Sequence, residues 1–204
     1  MPDRMPRIPP EKMSVAQQKA AAELAAGPRG AVNWPSGKPA GWRGPFVAMM
    51  RSPELMDRTQ KLGEYVRFHH CGLDPRIKTL ASLMTSRHWT NQYEWHGQRG
   101  DALKAGLNPA IIDAIAEGRR PTSMADDEEI VHDFMTELIA NKSVSDATYA
   151  RTVAKFGEQG VINLLGVAGY YTMLAMIMNV VRTPVPDGKP FELAPMPQQI
   201  RPNT

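Results

Sequence analysis

Between positions 69 and 96 the chain gathers His69, His70, His88, Glu94 and His96. A carboxyl group with imidazoles nearby is the usual equipment for general acid/base catalysis, because one group can hold a proton near neutral pH while the other takes it. Glu94 and Gln98 are four apart, so on a helix they share a face and can address one pocket. Gln98 has no proton to move, so the carboxyl must find its partner among the histidines. His96 is two positions from Glu94, about 200° round a helix; the two could meet only if a second subunit brought another copy of His96. His88, on the preceding element, is the better placed partner within one chain, and His69 and His70 could approach through packing. Tyr93 and Trp95 flank Glu94 and can exclude water, which favours its neutral form.

Other chemistries find less support. Three histidines and a glutamate could satisfy zinc or iron(II), yet no H-x-x-x-H or H-E-x-x-H spacing puts two ligands on one helical face, and His69 and His70 diverge, so no metal is expected. Cys71 is the only cysteine, which excludes an internal disulfide, a C-x-x-C pair and a multi-cysteine zinc site. It reads as a buried apolar residue in a reducing compartment. The glycine-containing stretches GPRG and GVAG have no strand before them, so no phosphate loop, dinucleotide fingerprint or organic cofactor is indicated. Lys+Arg 24 against Asp+Glu 21 leaves +3 with no basic run, which argues against a nucleic-acid partner. The first residues, MPDRMPRIPPEK, hold no apolar core of a secretory signal. A cytoplasmic location is the expectation.

The positioning elements are helices. Of the 18 prolines only Pro53, Pro75, Pro109 and Pro121 lie between residues 46 and 183, and proline fits the first position of a helix because its missing N–H would be unbonded there. Ser52, Asp74 and Asn108 precede three of them as expected caps. Helices are predicted over 53–69, 76–89, 91–105, 109–117, 126–140, 145–156 and 159–181, with a short one near 14–26 and with Gly106 and Gly118 as stops. Leu80, Leu83 and Met84, and Ile130, Phe134, Leu138 and Ile139, recur at helical spacing. At 204 residues one all-α domain is expected: an extended arm over 1–45, a helical core over 46–183 and a proline-rich tail over 184–204. Residues 160–181 carry no charge and are long enough to span a bilayer. Asn163, Thr172, Asn179 and the Tyr170-Tyr171 pair, and the lack of a second such stretch, favour a core or subunit-interface helix over a membrane span. Met173, Met176 and Met178 read as core filler.

The stretch Ser86–Leu107, SRHWTNQYEWHGQRGDALKAGL, resembles the signature helix of the carboxymuconolactone decarboxylase family, which includes the alkylhydroperoxidase D-like proteins. In that family the helix carries C-x-x-C-x-x-x-H and ends in A-G-L. Here Asn91 and Glu94 fall on the cysteine positions, Gln98 on the histidine, and Ala105-Gly106-Leu107 on the ending. Gly27-Pro28-Arg29-Gly30, Gly44-Pro45-Phe46, Ser52-Pro53-Glu54-Leu55, Gly169-Tyr170-Tyr171-Thr172 and Pro186-Asp187-Gly188 are similar to the branch with Y-E-W in place of the cysteines. The resemblance covers about residues 20–190. It implies an alkylhydroperoxidase D-like helical bundle assembling as homotrimers or hexamers, with pockets near subunit contacts. Dithiol peroxidase chemistry is excluded, since both cysteines are missing and the redox branch's glutamate falls on about Thr79. The expected function is a cofactor-independent lyase acting on a small oxygenated carboxylic acid or lactone. Glu94 would carry the proton, His88 or His96 would hold the enolate oxygen, and Tyr93, Trp95, Gln98, His69 and His70 would bind substrate. The alternatives are a non-catalytic ligand-binding or scaffold member, or an isomerase or hydrolase using the same pocket.

Overall fold

The computed structural model describes residues 3–28, 43–68, 70–185 and 189–195; His69 and the side chain of His70 lie outside this description. The chain is all-α, with eight α-helices and no strand among the described residues. They are α1 (Val15–Ala26), α2 (Pro45–Met49), α3 (Pro53–Arg67), α4 (Pro75–His88), α5 (Gln92–Lys104), α6 (Pro109–Ala116), α7 (Asp126–Asn141) and α8 (Asp146–Val181).

The boundaries follow local chemistry. Asp74 and Asn108 cap α4 and α6 by accepting from the N–H groups of Arg76 and Ala110 at 2.8 and 3.0 Å. Ser52 does not act as expected: its side chain makes no capping bond, and only its carbonyl takes part, accepting from Met56 N–H at 2.9 Å. Pro121 is another departure, since it lies in the loop ahead of α7 and starts no helix. Gly106 and Gly118 close α5 and α6 in the left-handed region, with φ of 86° and 71°. The amide beyond each reaches back to the helix, Leu107 N–H to Ala102 at 3.0 Å and Arg119 N–H to Ala114 at 2.9 Å. Gly157, at φ 69° and ψ 172°, breaks α8 where the sequence separates two helices.

The chain forms two compact units, Met1–Gly72 with Met173–Pro184, and Leu73–Thr172 with Val185–Thr204. In the first, α1 and α2 pack on α3 around Leu24, Met49, Met56 and Val66. The N-terminal arm is tied down by Arg4 N–H to the Val181 carbonyl at 2.8 Å and by Arg51 to the Pro6 carbonyl at 2.7 Å. Cys71 is buried, its Sγ 3.8 Å from the Val66 carbonyl.

The second unit is built round α4, in which every residue from Ile77 to Arg87 is buried. Helices α5, α6 and α7 pack against it. Ile77, Leu80 and Leu83 meet a core that includes Trp95, Ile111 and Phe134. Arg76 fixes the start of α4 to that of α7 through Asp127 and Glu128, at 2.6 and 2.5 Å. Thr79 has its hydroxyl within 2.9 Å of the Pro75 carbonyl. Helix α8 is long and apolar enough to cross a membrane, and 56% of its most apolar window is buried within the protein.

Candidate functional site

Helices α4 and α5 form a hairpin whose facing residues are polar. Asn91 caps α5, its side chain accepting from the Glu94 N–H at 2.8 Å, and so sets the start of the helix. This places Glu94 in the first turn, with Gln98 one turn further on the same face. Ser82 and Ser86 are also one turn apart on the antiparallel helix α4. They pair rung against rung: Ser82 Oγ donates to Gln98 Oε1 at 2.7 Å, and Ser86 Oγ lies 3.4 Å from Glu94 Oε2. Gln98 Nε2 donates onward to the Tyr171 hydroxyl at 3.1 Å, bringing α8 into the same cluster. All five side chains are buried.

Glu94 is 5% exposed, and its Oε1 has no hydrogen-bond partner among the described residues. Burial lifts its carboxyl well above the ordinary carboxylate range, and the long Ser86 contact opposes this only in part. The Ser86 hydroxyl proton is better placed on the Ser82 carbonyl, at 2.8 Å. That leaves the Ser86 oxygen able to accept a proton from a neutral Glu94, the form that burial favours. The arrangement can store a proton on a carboxylic acid shielded by Trp95, which is 1% exposed, with Tyr93 half-buried beside it.

His88 and His96 stand elsewhere. His88 is exposed and packs edge to face on Trp89, with ring centroids 5.6 Å apart. It lines a cavity of about 380 Å³ walled by α4, α7 and α8, on a different face of α4 from Ser82 and Ser86. Partial desolvation against the cavity wall and, after it, the charge of Lys142 hold its imidazole below the usual range. His96 points away from the hairpin, as its two-residue offset from Glu94 requires. Its Nδ1 lies 3.2 Å from Glu192 Oε1, and Arg99 Nε is 3.6 Å from the other oxygen. Neither histidine hydrogen-bonds Glu94, whose side-chain partner is Ser86. His69 and His70, as side chains, fall outside the described residues.

The tail segment 189–195 lies along α5. Gln92 receives the N–H groups of Glu192 and Leu193 at 3.0 and 3.1 Å and donates to the Leu193 carbonyl at 2.7 Å, while Arg87 donates to the Ala194 carbonyl at 2.8 Å.

Sequence reasoning missed Ser82, Ser86 and Tyr171. A signal existed for the serines: a polar pair four apart on α4, preceding a polar pair four apart on α5, is the pattern of two matching rungs in an antiparallel hairpin. Among the described residues no group of three or more His, Cys, Asp or Glu side chains is gathered for a metal ion. No family model, curated protein or solved structure matches the chain.

Proposed function

We propose that the protein is a cofactor-independent acid/base enzyme, a lyase similar to the carboxymuconolactone decarboxylases. Its substrate class is a small oxygenated carboxylic acid or lactone, and Glu94 is its proton carrier. One observation carries this reading: Glu94 is a buried carboxyl with an oxygen left unpaired. An unsatisfied buried polar atom costs on the order of 1–3 kcal/mol. Packing gains nothing from it, whereas a proton donor needs one oxygen uncommitted.

In such a reaction the substrate carboxylate leaves as CO2, and its bonding electrons pass into the lactone carbonyl as an enolate. Neutral Glu94 gives its proton to the enolate carbon, becomes a carboxylate and regains a proton from water before the next turnover. The Ser82, Gln98 and Tyr171 chain fixes the hairpin on which Glu94 sits, and Trp95 keeps bulk water from levelling its acidity. Since the protonated form acts, turnover falls as pH rises through the elevated ionisation of Glu94.

The test begins with a thermal-stabilisation screen of lactones and oxygenated acids, followed by kinetics on any compound turned over. Glu94→Gln keeps the shape and removes the exchangeable proton, so kcat falls on the order of 10²-fold or more with the circular dichroism spectrum unchanged. Wild-type kcat in this variant at all pH values overturns the assignment.

A further inference from the structure

The cavity on the other face of α4 is independent of Glu94. Its apolar wall includes Trp89, Met135 and Leu138, and its volume of about 380 Å³ falls in the range of small-molecule sites. Its polar complement is one-sided. His88 and Lys142 stand close enough for the ammonium to depress the imidazole's basicity, and among the described residues no carboxylate lines the cavity. Lys142 therefore gives the cavity a positive charge with no carboxylate among the lining residues, and an anion entering it would be attracted by that charge and would favour protonation of His88. Thr172 accepts from Trp89 Nε1 at 3.3 Å, and its hydroxyl proton has no acceptor among the described residues, leaving a donor on the lining.

Two backbone features border the cavity. Lys142 ends α7 in the left-handed region at φ 62°, where glycine or asparagine is the ordinary choice, and its ammonium donates to the Ile139 carbonyl at the helix end at 2.5 Å, which holds the charge at the cavity rim. Gly169 sits inside α8, where glycine is less favourable than alanine, yet an added Cβ would meet nothing within 4 Å. Gly169 lines the cavity at its exposed rim, so a larger side chain there starts from open space.

We propose that this cavity binds a small aryl or medium-chain acyl monocarboxylate. The apolar body lies against Trp89, Met135 and Leu138, and the carboxylate sits between Lys142 and His88 within reach of Thr172.

The full chain is titrated calorimetrically with trans-cinnamate and with cinnamyl alcohol, its uncharged counterpart. Cinnamate binds, and the alcohol binds at least about tenfold more weakly. Lys142→Asn removes the charge while tolerating the left-handed backbone; it weakens cinnamate on the order of fivefold and leaves the alcohol unchanged. Gly169→Leu fills the cavity from a position with room for it and abolishes cinnamate binding without lowering Tm. The proposal is overturned if wild-type protein fails to bind cinnamate at millimolar concentration, if the alcohol binds as well as the acid, or if Gly169→Leu binds like wild type. It is equally overturned if Gly169→Leu changes the oligomeric state while cinnamate does not bind, which would make the cavity a seam between copies of the chain.

Discussion

On the side of α4 that meets α5, Ser82 and Ser86 face Gln98 and Glu94; on the side that meets α7 and α8, Thr85, His88 and Trp89 line an open cavity. The two faces are separated by single steps of about 100° along one helix, yet they treat polar groups in opposite ways. The first buries them and pairs each with another, except Glu94 Oε1, so positions are mutually fixed. The second leaves its charged groups at the surface and pairs them with nothing acidic. An ionisable group can therefore be prepared for chemistry in two ways. Burial changes the protonation state of Glu94, whereas the open cavity keeps Lys142 charged, its ammonium on the Ile139 carbonyl and without a carboxylate partner on the lining.

The largest effect expected from this contrast separates the two tryptophans. Trp95 is 1% exposed beside Glu94, while Trp89 is half-buried at the cavity. Trp95→Ala should lose about 3–5 kcal/mol of stability in urea unfolding, as large truncations in cores do. Trp89→Ala should lose about 1 kcal/mol, because solvent can fill the space it leaves. Equal losses would mean that the cavity face is packed as tightly as the hairpin.

A smaller effect distinguishes the hydroxyls. Ser82→Ala takes away the 2.7 Å donor to Gln98 Oε1 inside the hairpin and should cost about 1–3 kcal/mol. Thr85→Val removes a hydroxyl bonded only to the Ala81 carbonyl of its own helix and should change stability by less than about 0.5 kcal/mol. Urea midpoints at constant slope would measure both. If Ser82→Ala were as mild as Thr85→Val, water would be reaching the hairpin, and the shielding of Glu94 would be lost with it.

Much of this was readable from the residues alone where the determinant is local. The helix starts at Pro53, Pro75 and Pro109, the stops at Gly106 and Gly118, and the break near Gly157 all follow from backbone chemistry within a few residues. Failures occurred where local chemistry left a choice. Ser52 could cap but does not, Pro121 could begin a helix but sits in a loop, and the short α2 at Pro45–Met49 fell at the edge of what reads as an extended arm. The site was legible as one helix face, Glu94 with Gln98, but its partners depend on which face of α4 meets α5. That is decided by packing, and it selected Ser82 and Ser86 over His88. The pairing of His96 with Glu192, across almost a hundred residues of chain, has no local signal at all.

The last effect is a slope with pH rather than a single difference, and it tests the protonation state that the hairpin imposes. Glu94 has its folded-state ionisation raised by burial above the ordinary value of 4.5. Its contribution to stability is therefore complete below about pH 4.5 and is lost as pH rises, because the unfolded chain releases the proton first. The loss approaches about 1.4 kcal/mol per pH unit while the folded carboxyl stays neutral and levels off once it ionises. His88 and His132 act with the opposite sign: burial lowers both, so their contribution is present above 6.5 and lost as pH falls through their folded values. They are the same in wild type and in Glu94→Gln and cancel in the comparison. Urea unfolding of both proteins from pH 4 to pH 8 should show the variant gaining on wild type steadily above about pH 4.5. A constant difference across that range would mean that Glu94 ionises like an exposed carboxylate, and the hairpin would then hold no proton to deliver.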